Sequence, residues 1–210
     1  MIEKLVANRF LTLPNFDSTP PAVPADGLPE RFMRIPDRLY SIQESTSSGP
    51  FYNRTKTSQV SAGAHANQAK QHRTFRWLPW VPGQVTFVTL AGADILTGRM
   101  SGCWLTIFSI DGIRYVGHIG TEDSSTSDNT VAVKAAWRAA VDSGAVVPVA
   151  AFNPVGPALN IAQLGLNGEA PEFFGGIATS GTMSTVVITK PAGRIVTVQR
   201  QRTTPDVTAF

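Results

Sequence analysis

From Thr74 onward, apolar and polar positions alternate in short β-prone runs set apart by turn residues, the period-2 pattern of half-buried strands. FRWLPW (75 to 80) opens the series. QVTFVTL (84 to 90), CWLTIFSI (103 to 110), IRYVGHI (113 to 119), AVVPVAAF (145 to 152), FFGGIATS (173 to 180), STVVITK (184 to 190) and RIVTVQR (194 to 200) continue it. A helical period occurs in VAVKAAWRAAV (131 to 141), where Val133, Trp137 and Val141 recur at fourfold spacing. Ser127, Asp128 and Asn129 are candidate caps for that helix, and Gly144 is its stop.

Before Thr74 the pattern weakens. Pro14, Pro20, Pro21, Pro24, Pro29 and Pro36 remove amide donors and predict an extended, irregular segment. Residues 41 to 72 are polar, and short strands are expected at RFMRI (31 to 35) and FYNRTKTSQV (51 to 60). A chain of 210 residues with 42% apolar content suits one domain, with residues 1–73 packed on a core of residues 74–210. We find no internal repeat.

Charge changes this picture little. The 18 basic residues exceed the 15 acidic ones only slightly, so KQHRTFR (70 to 76) and RIVTVQRQR (194 to 202) read as solvated faces, and no nucleic-acid partner is expected. The single cysteine excludes an intramolecular disulfide and a cysteine-based zinc site. The start of the chain has no basic segment leading into a sustained apolar core, and no run approaches the ~18 apolar residues that span a bilayer. Neither a classical signal peptide nor a membrane span is expected.

The candidate chemistry follows from one hairpin. Asp111-Gly112 between two apolar runs is the strongest short-range signal for a two-residue β-turn. If Ile110 faces Ile113, then Phe108 faces Tyr115 and Leu105 faces His118. Cys103, two residues before Leu105, then shares a face with His118 as a diagonal neighbour, ~7–8 Å away at the backbone. A thiol beside an imidazole suits nucleophilic catalysis, because the base takes the thiol proton. Gly102 leaves room for a substrate carbonyl, and amides nearby could hold an oxyanion. Both reactive groups are expected to face a common hollow that solvent can reach. The alternative reading makes Cys103 a small apolar filler in a β-rich, non-catalytic binding protein.

TGRMSGC (97 to 103) resembles the nucleophile segment of the glutamine deamidase toxins, the group of the Burkholderia lethal factor and the catalytic domain of cytotoxic necrotizing factor. In that group a Ser-Gly-Cys triplet carries the thiol and a histidine on the next strand is the base. Here those positions are Ser101, Gly102, Cys103 and His118. WLPW (77 to 80) and GGIATSGTMS (175 to 184) are similar to segments of the lethal factor. Thr97 matches, by its spacing from the thiol, the threonine that completes a Cys-His-Thr triad. The resemblance spans about residues 74 to 190. It implies an α+β fold, a β-sandwich-like mixed-sheet core with flanking helices. It also implies a cysteine hydrolase, without cofactor or metal, that converts glutamine to glutamate in a host protein such as a GTPase or a translation factor. Thr97 would orient His118, and Ser101 and Gly102 would line the oxyanion and substrate site. A monomeric toxin or effector, secreted or injected into the host cytosol, fits this picture. A transglutaminase or thiol protease using the same pair is the related alternative.

Other residues receive plainer readings. His65 and His72 read as solvated, and Trp77 and Trp80 as a packed corner near proline. Trp104 should point away from the thiol's face and pack in the sandwich. Glu122 and Asp123 should sit in a solvated loop before the helix.

Overall fold

The structure, a computed structural model, describes residues 1, 2, 5, 7, 10–12, 23–36, 39–48, 54–62, 74–156, 159–166, 168–190 and 193–204, with backbone alone at 10, 12, 42–48 and 54–62. His65, His72, residues 70–73 and most of the proline-rich segment before residue 23 lie outside the described residues.

The fold is α+β: two mixed sheets stacked face to face, with one α-helix among the described residues. This helix flanks the core, beside a short 3-10 turn at Ile161–Gln163. The strands in chain order are β1 (Phe10–Thr12), β2 (Val23–Pro24), β3 (Phe32–Arg34), β4 (Leu39–Ser48), β5 (Arg54–Ala62), β6 (Thr74–Leu78) and β7 (Val85–Thr89). They continue with β8 (Asp94–Gly98), β9 (Trp104–Ile110), β10 (Ile113–Ile119), β11 (Val147–Phe152), β12 (Ala170–Ile177), β13 (Met183–Lys190) and β14 (Ile195–Arg200). The helix α1 (Asp128–Asp142) joins β10 to β11.

One sheet has the order β1-β5-β4-β6-β8-β12-β13-β14, and the other β11-β9-β10-β7-β3-β2. The segment before Thr74 contributes to both, because β4 pairs with β6 and β3 with β7. The strand β8 was not foreseen. It is short, is followed by Gly98-Arg99, and shows no clean alternation in the sequence. Its burial comes from pairing with β6 and β12.

The hairpin of β9 and β10 has the register deduced from its turn, with Ile110 opposite Ile113, Phe108 opposite Tyr115 and Leu105 opposite His118. Asp111 and Gly112 have φ of 50° and 78°, the two positive values that a twisted two-residue hairpin turn requires. One face of this hairpin lies against the helix. Phe87, Phe108, Tyr115, Ile119, Val133 and Trp137 form a cluster there, with the Trp137 ring 5.6 Å from Phe108 and edge-on to it. Trp104 packs into this helix-side layer and not between the sheets. The opposite face meets the larger sheet through Leu105, Ile107, Val116, Ile95, Leu78, Ile177 and Met183. The outer face of the larger sheet carries a third cluster that includes Tyr40, Phe75, Trp77, Leu96 and Phe174.

The helix begins where the sequence proposes. The Ser127 hydroxyl accepts from the Thr130 N–H, Asp128 sits in the first turn, and Gly144, with φ of 75°, follows the end. Val133 and Trp137 are fully buried and Val141 packs beside them, so the fourfold stripe is the face laid on the sheet.

Candidate active site

Strand alternation sends Thr97 of β8 and His118 of β10 into the same layer from opposite sheets. They meet there: Thr97 Oγ1 lies 2.8 Å from His118 Nδ1, and both side chains are buried. This hydrogen bond crosses the space between the sheets in a layer that is otherwise mostly apolar. Thr97 therefore reaches His118 through its hydroxyl.

The rows flanking the bond explain how the sheets come close enough to make it. On the smaller sheet, His118 lies between Leu105 of β9 and Thr86 of β7. On the larger sheet, Thr97 is paired with Gly175 of β12 and Leu78 of β6. Leu105 seats directly on Gly175, where an added Cβ would overlap its Cδ1 and lie 3.2 Å from its Cγ. The first glycine of Gly-Gly-Ile thus provides the space that the hydrogen bond beside it needs.

Cys103 sits one residue before β9, in the layer between the sheets and only 2% exposed. Its thiol donates to the Thr121 carbonyl at 3.3 Å, and the Thr121 hydroxyl approaches the sulfur at 3.7 Å. The Trp80 indole N–H donates to the same Thr121 carbonyl at 3.1 Å. Trp80 is held in place by its neighbour Pro79, whose carbonyl accepts from Thr86 Oγ1 at 2.6 Å. At 40% exposed, Trp80 is not core; Trp77, at 7%, is. The packed-corner reading is right for one tryptophan and corrected for the other, because Trp80 has left the strand and turned over the thiol.

One expectation about access is also corrected. The thiol and imidazole do not face an open hollow: Trp80 and Thr121 lie against the sulfur, and His118 is fully buried. Ser101, for its part, is exposed and donates to Asp123 Oδ1 at 2.8 Å, tying the Cys103 loop to the loop after β10. Asp123 is exposed as expected, but it has this partner. Gly102 is exposed, with open space where a side chain would stand.

Burial sets the protonation of the resting pair. It pushes the Cys103 thiol up, against hydrogen bonds from Thr121, the main chain at Gly102 and Trp80 that pull it down. Burial also lowers His118 to about 3. A neutral thiol and a neutral imidazole result. His118 Nε2 has no hydrogen-bond partner among the described residues. In the tautomer whose Nδ1–H donates to Thr97, this second nitrogen is a free acceptor, and a general base needs such a lone pair.

Thr121 is the neighbour that sequence reasoning missed, and Trp80 is the one it placed in the core. Thr121 acts through its main-chain carbonyl, which any residue carries. The position of that carbonyl is fixed because Glu122 N–H donates to Thr130 Oγ1 at 2.9 Å in the first turn of α1. No group of three or more metal-ligating side chains gathers among the described residues, and no described helix is long and apolar enough to cross a membrane. Compared with family models, with curated proteins and with solved structures, the chain has no match.

Proposed function

We propose that this chain is a cysteine-dependent protein-glutamine deamidase. The observation that supports the reading is the Thr97–His118 bond across the two sheets, which fixes the ring and leaves Nε2 without a partner among the described residues. Cys103 Sγ attacks the carboxamide carbon while its proton passes to His118 Nε2. Main-chain amides around Gly102 hold the oxyanion. The imidazolium then protonates the departing nitrogen and ammonia leaves, with a thioester remaining. Water gives a proton to Nε2 and attacks the thioester, and the returning proton restores the thiol as glutamate is released. Every atom comes from substrate, water or these side chains, so the cycle closes without a cofactor.

The resemblance of Thr97, Ser-Gly-Cys and Gly-Gly-Ile to the deamidase toxins supports the same reading. It points to a host-protein substrate, a GTPase or a translation factor, met by a monomeric effector in the host cytosol. The proposal is tested by incubating wild type and Cys103→Ser with host-cell lysate and mapping glutamine-to-glutamate conversion by mass spectrometry. We expect conversion at defined sites with wild type alone. Equal patterns from both proteins would remove the proposal. Incorporation of an added small amine in place of ammonia release would assign a transglutaminase instead.

A second reading has its own support. Cys103 is 2% exposed, its thiol is pushed up, and its proton points to Thr121 and not to His118. On that reading the cysteine is a structural member of a binding protein, and Cys103→Ala keeps full biological effect.

A further inference from the structure

The closed thiol raises the question of how a glutamine side chain would reach it. The cover is one hydrogen-bonded cluster: the Thr121 carbonyl accepts from both the Cys103 thiol and the Trp80 indole. Thr121 is held on both sides, by Thr121 N–H to the Ile119 carbonyl at 3.0 Å and by the Glu122 N–H to Thr130. Trp80 is different. It projects from the segment after β6, is 40% exposed, and is tied down by its indole N–H. Of the groups over the sulfur, it is the one tied by its side chain, whereas Thr121 is tied through its main chain.

Resting on the deamidase reading, we infer that Trp80 is the gate of the Cys103 site and that the Thr121 carbonyl beneath it is the acceptor for the substrate's carboxamide NH2. When the indole swings out, the carbonyl loses one donor. As the thiol turns towards His118 Nε2, it loses the second. A carboxamide N–H can take the place of these donors on the carbonyl. The product carboxylate has no donor and meets the carbonyl oxygen with its own negative oxygens. The site therefore accepts glutamine and rejects glutamate, and the gate closes again over the thiol when the product leaves. Burying a carbonyl without a donor is costly, which gives the preference its size.

The sole cysteine makes the test direct. Cys103 labelling rates are measured by mass spectrometry with iodoacetamide, which carries a carboxamide, and with iodoacetate, which carries a carboxylate. Wild type, Trp80→Phe and Trp80→Ala are compared, and a small-molecule thiol sets the intrinsic ratio of the two reagents. Trp80→Ala should label with iodoacetamide ~tenfold or more faster than wild type, as expected when a hydrogen bond and a ring contact are removed from a closed state. Trp80→Phe, which keeps a ring and loses the N–H, should fall between them. In Trp80→Ala the iodoacetamide-to-iodoacetate ratio should exceed that of the small thiol. A Trp80→Ala rate equal to wild type overturns the inference, and so does a reagent ratio equal to that of the small thiol. Labelling does not depend on turnover, so a protein that labels as expected but converts no glutamine keeps the gate and loses the deamidase.

Discussion

Gly175 is the residue through which the architecture of the site can be tested without touching its chemistry. An alanine there places a Cβ on top of Leu105 Cδ1, 3.2 Å from Leu105 Cγ and 3.4 Å from Pro154 Cγ. Carbon atoms in contact prefer ~3.5–4.0 Å, so Leu105 must retreat by more than about 1 Å or the two sheets must part by that amount. Leu105 is fully buried among core side chains and has little room to retreat. Overpacking of this kind costs about 1–3 kcal/mol. If the sheets part, the 2.8 Å contact between Thr97 and His118 lengthens past hydrogen-bonding distance, and a buried ring nitrogen loses its partner at about 1–3 kcal/mol more. Gly175→Ala should therefore lower the free energy of unfolding by about 2–6 kcal/mol in urea titration. It should also shift the nitrogen resonances of the His118 ring. Adding Leu105→Ala should relieve part of the loss, giving a favourable coupling of about 1 kcal/mol or more. If Gly175→Ala lies within about 0.5 kcal/mol of wild type and leaves the ring resonances in place, the glycine is not the spacer described here.

The remaining predictions are simpler. His118 falls from 6.5 in the unfolded chain to about 3 in the folded one, so only the unfolded chain takes up the proton between those values and stability is lost as pH falls through that window. At about 1.4 kcal/mol per unit, the full loss is on the order of 5 kcal/mol; His118→Asn should flatten the acid limb of the urea midpoint, and an unchanged limb would refute the assignment. Thr97→Val should cost about 1–3 kcal/mol by leaving Nδ1 unpartnered, with Thr97→Ser restoring most of it; equal stability of the two variants would mean that the hydroxyl contributes nothing. Ser127→Ala removes the N-cap of α1 and should cost ~1 kcal/mol in thermal or urea unfolding, whereas Ser180→Ala, at an exposed turn, should stay within about 0.5 kcal/mol.

The parts of the fold that were legible in the sequence are those whose cause is local. Asp111-Gly112 fixes a turn by its backbone preferences, and the turn fixes which residues of β9 and β10 oppose each other. The helix was legible for the same reason, through its cap and its fourfold stripe. The contact of Thr97 with His118 depends on two strands from different sheets. Spacing alone gives no hint of it, and the residue was singled out only through the resemblance. The burial of Cys103 was also hidden, because it is produced by Trp80 and by a main-chain carbonyl. A tryptophan near proline looks the same in sequence whether it packs in a core or closes over a neighbour. The role of Gly175 became visible only once Leu105 was seen resting on it.

The loop from Gly120 to Ser127 belongs at once to the thiol and to the helix, since Thr121 holds the sulfur while the next amide docks on Thr130 in the first helical turn. Warming frays the ends of a helix before it separates stacked sheets. The sulfur's hydrogen-bond acceptor would slacken in that early step, so loss of order around the thiol should set in at a lower temperature than collapse of the sandwich. The endurance of the thiol's surroundings is governed by a helix on the far side of the smaller sheet.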